Sequence, residues 1–164
     1  MVNLCAILLS LKTGDVYLKY CFYGTHEYQL DAKNRMRMPA KFRAEMGDEY
    51  LITKGAGGSL FVLHQKALEE LNEKISALPL TDVEAGKVLR KFTSSAVRVE
   101  CDEQGRFVLP STLKEYAKID KNVCIVGAGS KVEIWSQEIW DEINRGGKDE
   151  NFDDVLGSLA KYGI

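Results

Sequence analysis

The sequence predicts an α+β protein in which two copies of one ββαββ unit pair within the chain as an intramolecular pseudo-dimer, with peripheral helices around them. Three observations lead there. One stretch of the chain occurs twice, in the same order. Within each copy, apolar and polar residues alternate with the period of half-buried strands. Each alternating stretch then meets a proline that opens a short amphipathic run.

The repeat is explicit. Residues 27–43 (EYQLDAKNRMRMPAKFR) correspond to 98–114 (RVECDEQGRFVLPSTLK), so that Asp31, Arg35 and Pro39 match Asp102, Arg106 and Pro110 at a constant offset of 71. GAGGSLFVLH at 55–64 matches GAGSKVEIWS at 127–136 at an offset of 72, which puts a one-residue length change between the two matches. The copies span 25–67 and 96–139. A helical connector, 68–95, joins them, and an extension (1–21) and a helical segment (140–164) flank them.

In the first strand of each copy, Tyr28 and Leu30 alternate with Glu27 and Gln29, and Val97, Val99 and Cys101 alternate with Arg98 and Glu100. Asp31 and Asp102 stand before three-residue loops, where a short carboxylate accepts turn N–H bonds. Such a loop puts its last residue in the left-handed region. Asn34 and Gly105 fill that slot, and both residue types tolerate it. After the turn, Met36 and Met38 face inward while Arg35 and Arg37 face out; Phe107 and Leu109 face inward while Arg106 and Val108 face out.

Pro39 and Pro110 are read as first-turn residues of short helices whose apolar sides are Phe42 with Met46, and Leu113 with Tyr116 and Ala117. Strands at 50–54 and 60–63, and at 123–126 and 132–135, complete the copies, joined by glycine-rich turns. A unit below ~40–50 residues buries too little surface to stand alone, so the two copies are expected to share a core.

In the connector, Leu68, Leu71, Ile75 and Leu78 fall at helical spacing, ended by Pro79. Thr81 and Glu84 form a capping-box pattern before a second helix carrying Val88, Leu89 and Phe92. After a polar link at 145–151, Phe152, Val155, Leu156 and Leu159 pattern a short amphipathic helix. That helix has two readings, a cover for the core or a contact between subunits.

Composition excludes several classes. With 45% apolar and 28% charged residues among 164, a packed globule is expected. Cys5, Cys21, Cys101 and Cys124 form no CxxC pair, and His26 and His64 stand alone. No metal site and no cofactor are therefore expected, and the cysteines read as small hydrophobes of a reducing cytosol. The chain has no apolar run of membrane-spanning length, and residues 1–10 lack a basic segment and a cleavage signal for secretion. Neither histidine has a matching catalytic partner, and GAGG and GAGS lack the Lys-Ser/Thr of a phosphate loop, so the chain is not read as an enzyme.

The formal net charge of −2 argues mildly against a partner such as nucleic acid. The average hides an asymmetry. Residues 31–43 hold five basic residues and one acidic, net +4, whereas 138–164 hold seven acidic and three basic, net −4. Lys33 at the turn, with Arg35 and Arg37 on one strand face, can reach phosphates or base edges of double-stranded DNA, and a β-ribbon fits the major groove. Lys41, early in the helix, adds a phosphate contact. Arg106 matches Arg35 but has Glu103, Gln104 and Val108 as neighbours, so the first copy is expected to dominate binding. Arg35 and Arg106 carry a second reading: each pairs with Asp31 or Asp102 across its turn and locks the hairpin. The two roles can coexist.

Tandem Asp-x-x-x-Arg hairpins, each followed by a strand and a proline-led helix, resemble the SpoVT-AbrB swapped-hairpin superfamily, and within it the MraZ family. Residues 22–35 (FYGTHEYQLDAKNR) are similar to that family's amino terminus, 76–85 (SALPLTDVEA) to its inter-repeat helices, and 132–140 (VEIWSQEIW) to its carboxyl-terminal pattern. The resemblance covers 22–164. It implies a double swapped-hairpin β-barrel and a cytoplasmic, nucleoid-associated transcriptional regulator. It also implies a ring-like homo-oligomer that binds short direct repeats upstream of its own operon of division and cell-wall genes. The same superfamily includes antitoxins of the MazE kind, which hold a toxin with a disordered acidic tail; the acidic end here is short and patterned as a helix. One departure is the stretch of about 20 residues before Phe22, with Cys21 where an initiator Met is common. Residues 1–17 read either as an upstream start assignment, with Leu18 at the true start, or as a genuine extension.

Overall fold

A computed structural model describes residues 21–77, 81–146 and 152–161. All of the extension but Cys21, the helix end at Leu78 and Pro79, and link residues 147–151 lie outside the described residues, as do the side chains of Ile75 and Phe152. The first repeat contains β1 (Phe22–Gln29), β2 (Arg35–Arg37), α1 (Ala40–Met46), β3 (Glu49–Lys54) and β4 (Leu60–Leu63). Two connector helices follow, α2 (Gln65–Ser76) and α3 (Val83–Ser95). The second repeat has β5 (Val97–Glu100), β6 (Arg106–Val108), α4 (Ser111–Tyr116), β7 (Asn122–Gly129) and β8 (Lys131–Ser136), then α5 (Gln137–Gly146) and α6 (Phe152–Ala160).

The first strand of each repeat pairs with the third strand of the other. β1 runs antiparallel to β7, from Phe22↔Gly129 to Gln29↔Asn122, and β5 runs antiparallel to β3, from Glu49↔Glu100 to Ile52↔Val97. The fourth strands meet at the centre, Leu60 opposite Ile134, giving the sheet order β1-β7-β8-β4-β3-β5. β2 and β6 form a separate two-stranded ribbon, with Met36 opposite Phe107. This is an α+β fold with antiparallel sheets. Among the described residues no hydrogen-bonded ladder closes them into a barrel: the tight turns after β1 and β5 peel β2 and β6 away, and these two pair with each other instead.

Both repeats fill one core. Met36 and Phe107 point inward beneath the ribbon, and Met38, Phe42, Leu109 and Leu113 join them, all at most 2% exposed. Phe22 meets Phe42 edge-on at 5.5 Å, and Tyr50 of the first repeat meets Phe107 of the second at 5.7 Å. Cys101 Sγ donates to Tyr50 Oη at 3.3 Å, a further contact between the repeats. Each fully buried side chain of this size stabilises the fold by ~1.5–3 kcal/mol. Cys124 lies in the core as a free thiol, while Cys21 and Cys101 are half-buried.

Several local expectations are corrected. Pro39 and Pro110 cap their helices from outside the first turn, with ψ of 133° and 135°; the rings suit the fixed φ, while the extended ψ carries the chain out of the ribbon. Tyr116 turns outward, 37% exposed, and its hydroxyl donates to the Gly55 carbonyl at 2.8 Å. That bond satisfies a polar group that burial would have left unpaired. Asp82 rather than Thr81 caps α3, its carboxylate accepting the Ala85 N–H at 3.0 Å. Val88 on that helix is 66% exposed. On α6, Val155, Leu156 and Leu159 are 38–49% exposed, so the helix does not bury its apolar side in the core.

The two glycine-rich segments differ in kind. Ala56–Gly58 forms a tight turn kinked at Gly57, which takes a φ of 66°, whereas Gly127 and Gly129 lie within β7. The reason is the approach of β1. A Cβ on Gly127 would stand 2.4 Å from Tyr23 N and 2.5 Å from the Phe22 carbonyl carbon, both of them backbone atoms. Gly127→Ala must therefore part β1 from β7. Urea denaturation should read a loss of about 2 kcal/mol or more, at the upper part of the range for overpacking; an unchanged midpoint would show that the strands have slack there.

Candidate nucleic-acid interface

The ribbon is built by two matching carboxylate turns. Asp31 Oδ1 accepts the N–H groups of Lys33 (2.8 Å) and Arg35 (2.9 Å), while Asp31 Oδ2 accepts Arg35 Nε at 2.7 Å. In the second repeat, Asp102 Oδ1 accepts Gln104 N and Arg106 N, both at 2.9 Å, and Oδ2 accepts Arg106 Nε at 2.8 Å. The backbone closes each loop by Asn34 N donating to Asp31 O (2.9 Å) and Gly105 N donating to Asp102 O (2.8 Å). Asn34 and Gly105 take positive φ, 54° and 74°. That conformation is what a three-residue hairpin demands of its last position.

The turns also bind the repeats to one another. Leu109 N donates to Asn34 O at 2.9 Å, and Met38 N donates to Gly105 O at 3.3 Å. Lys114 Nζ, on α4, donates to Asn34 Oδ1 of the first repeat at 2.9 Å. Its counterpart 71 positions earlier, Arg43 on α1, lies over Gly105 of the second repeat, where a Cβ would stand 2.8 Å from Nη1. Arg43 Nε is held by Asp48 Oδ1 at 2.6 Å. These two cations brace the opposite turns, a role that reading the residues one copy at a time misses. The shared offset was the available signal.

The outward face of the ribbon has four positions. The pairing sets Arg35 opposite Val108 and Arg37 opposite Arg106. Three guanidinium groups and one isopropyl group thus stand on one surface. Arg35 and Arg106 remain 29% and 30% exposed while engaged by their aspartates. Arg37 is exposed, and among the described residues neither its side chain nor that of Lys33 has an ion-pair partner. Lys41 sits apart on α1, its ammonium 5.4 Å from the centre of the Tyr23 ring. A cleft of about 520 Å³ opens beside the ribbon between α1 and the second turn, lined by Arg37, Arg43, Asp48 and Gln104 among others. Among the described residues no group of three or more His, Cys, Asp or Glu could hold a metal, and no helix is long and apolar enough to cross a membrane.

The sequence profile of the family described as "MraZ protein, putative antitoxin-like" matches twice, at residues 21–91 and 92–159. This chain belongs to the MraZ family. Its relatives include the transcriptional regulator MraZ of Carboxydothermus hydrogenoformans, 47% identical over 76% of this chain and 87% of that protein. The transcriptional regulators MraZ of Caldanaerobacter subterraneus subsp. tengcongensis and Clostridium beijerinckii are 40% and 41% identical, covering 86% and 87% of this chain and 98% and 99% of their own lengths. The MraZ match thus takes in both hairpins and the connector between them.

Both turn carboxylates are held below the ordinary carboxylate value. The Arg106 side chain and N–H hold the Asp102 carboxyl at about 2, against an ordinary 3.8, and the Arg35 N–H lowers Asp31 in the same direction. A carboxylate depressed in the fold contributes stability that is complete above its unfolded value and is lost as the pH falls through the folded one. Asp102→Asn should therefore melt below wild type at neutral pH. That gap should close between pH 3.8 and about 2, as followed by circular dichroism across the range; a gap that persists at the acid end would assign the loss to shape rather than charge.

Proposed function

We propose that the chain is a sequence-specific DNA-binding transcriptional regulator, not an enzyme, whose β2–β6 ribbon enters the major groove. The observation that carries this reading is the ribbon face itself, where Arg35, Arg37 and Arg106 stand together on one surface. In this reading Arg37 contacts a base edge, and Lys33 and Lys41 contact phosphates. Arg35 and Arg106 reach the DNA backbone with the donors their aspartates leave over, and Asp31, Asn34, Asp102 and Gly105 hold the turns that present them. The partly clamped pair loses little side-chain freedom on binding, because the turn has already ordered it.

Family membership supports a wider reading. The repeats at 25–67 and 96–139 wrap their shared core as a double swapped hairpin, a barrel closed by side-chain packing rather than by a continuous hydrogen-bonded ladder. Copies of the chain assemble into a ring, and the ring holds short direct repeats upstream of its own operon of division and cell-wall genes. The protein works in the cytoplasm, on the nucleoid. A single ribbon offers few contacts, so joining several on neighbouring repeats raises affinity by ~10²–10⁴-fold through effective concentration.

The test is a gel shift on the gene's own upstream DNA. Arg37→Ala is the cleanest variant, because removing Arg35 also releases Asp31 and disturbs the turn. Arg37→Ala should weaken binding about tenfold or more, given ~1–3 kcal/mol for an arginine–guanine pair, with the melting temperature unchanged. Lys33→Ala should weaken all sequences alike and reduce the slope of log affinity against log salt by about 1. Equal binding by wild type and Arg37→Ala would remove the ribbon from the interface.

A further inference from the structure

The four outward positions of the ribbon divide into two diagonals. Residues 35 and 106 are equivalents at the repeat offset, and so are 37 and 108. The first diagonal is symmetric in chemistry and in structure: both residues are arginine, and both are clamped by an aspartate of their own turn. The second diagonal is asymmetric. Arg37 is an exposed guanidinium, whereas Val108 is an isopropyl group left 53% exposed at one corner of a face whose other three positions are arginine. A β-branched valine suits a strand, and here its methyl groups stand in water beside guanidinium groups, free to meet an apolar group of a partner.

Resting on the regulator reading above, we propose that Val108 and Arg37 make the ribbon read DNA in one direction: Val108 seats against the 5-methyl group of a thymine, and Arg37 against a guanine edge. The major groove offers matching chemistry. Guanine presents the paired N7 and O6 acceptors that a guanidinium grips, and thymine alone presents a methyl group to an apolar side chain. Diagonal neighbours of an antiparallel pair stand ~7–8 Å apart, and base pairs rise by ~3.4 Å. The two features should therefore lie about two base-pair steps apart. A pseudo-dimer with arginine at both 37 and 108 would favour an inverted repeat. With valine at one of them, each chain has a head and a tail on DNA, so a series of chains can face the same way along a direct repeat.

The experiment selects binding sites for the full-length chain from random duplexes, then replaces each thymine of the selected site by deoxyuridine, which removes only the methyl group. Burying a methyl-sized group is worth ~0.8 kcal/mol, so one deoxyuridine should weaken wild type about fourfold. The same replacement should have no effect on Val108→Ser, which has no methyl group to meet that of thymine. The wild-type site should lack two-fold symmetry, and Val108→Arg should select a symmetric one. At 53% exposure, Val108 variants should keep the wild-type melting temperature, and Val108→Thr should retain the β-branched shape as a control for the strand. A symmetric wild-type site, indifference to every deoxyuridine, or an equal penalty in Val108→Ser overturns the directional reading while leaving the regulator intact. Failure of the full-length chain to retain any duplex overturns both.

Discussion

The fold depends on a reciprocal exchange. Each repeat lends its first strand to the other repeat's sheet, β1 to β7 and β5 to β3. A strand pair is stabilised by its cross-strand contacts and by the face it buries, so neither repeat can complete its own sheet. The exchange also brings the two hairpin turns to the same place. Once β1 and β5 have crossed over, the chain emerging from each turn finds the other one beside it, and β2 pairs with β6. The binding face is therefore a product of the crossing, with half its side chains drawn from each copy.

Within that face, order and reach are divided between residue types. The aspartates spend one oxygen on turn N–H groups and the other on an arginine. This holds Arg35 and Arg106 upright at little entropic cost on binding. Exposed ion pairs are heavily screened by water and salt, so the clamps matter for where the guanidinium groups point more than for the stability they add. Arg37 carries no such tether and is free to choose a partner. The cations of the helices, Arg43 and Lys114, are turned to internal use against the opposite turns. Counting positive charge along residues 31–43 therefore overstates what the surface offers.

Local chemistry was readable from the residues, and long-range partnership was not. The inward alternation of Met36, Met38, Phe107 and Leu109 has a period of two that survives any tertiary context. The positive φ of Asn34 and Gly105 follows from loop length and residue type alone. Which strand β1 would pair with could not be read, because ladders depend on contacts a hundred residues apart. Gly127 illustrates the gap. In the sequence it is one more turn glycine, and only the approach of Tyr23 backbone shows why no side chain fits. Tyr116 was assigned inward by helical spacing and lies outward because its hydroxyl has an acceptor at Gly55. The apolar sides of α3 and α6 were visible as patterns, but a pattern does not name the surface that covers it. For the ribbon, placement could be inferred from the repeat, whereas the split between clamped and untethered arginines needed distances.

The interleaving of β1 with β7 has a consequence for synthesis. Phe22 and its neighbours leave the ribosome before their partners, and their ladder is completed only when residues up to Gly129 have been made. Until then the nascent first half carries an unpaired edge and an uncovered apolar face, the features that make partly folded chains associate wrongly. Contacts this distant in sequence also slow folding, because a long loop must close before any of them forms. The sheet and the ribbon can thus close only once both repeats have been made, and a product terminated before β6 would lack the ribbon and the outer ladder of β1.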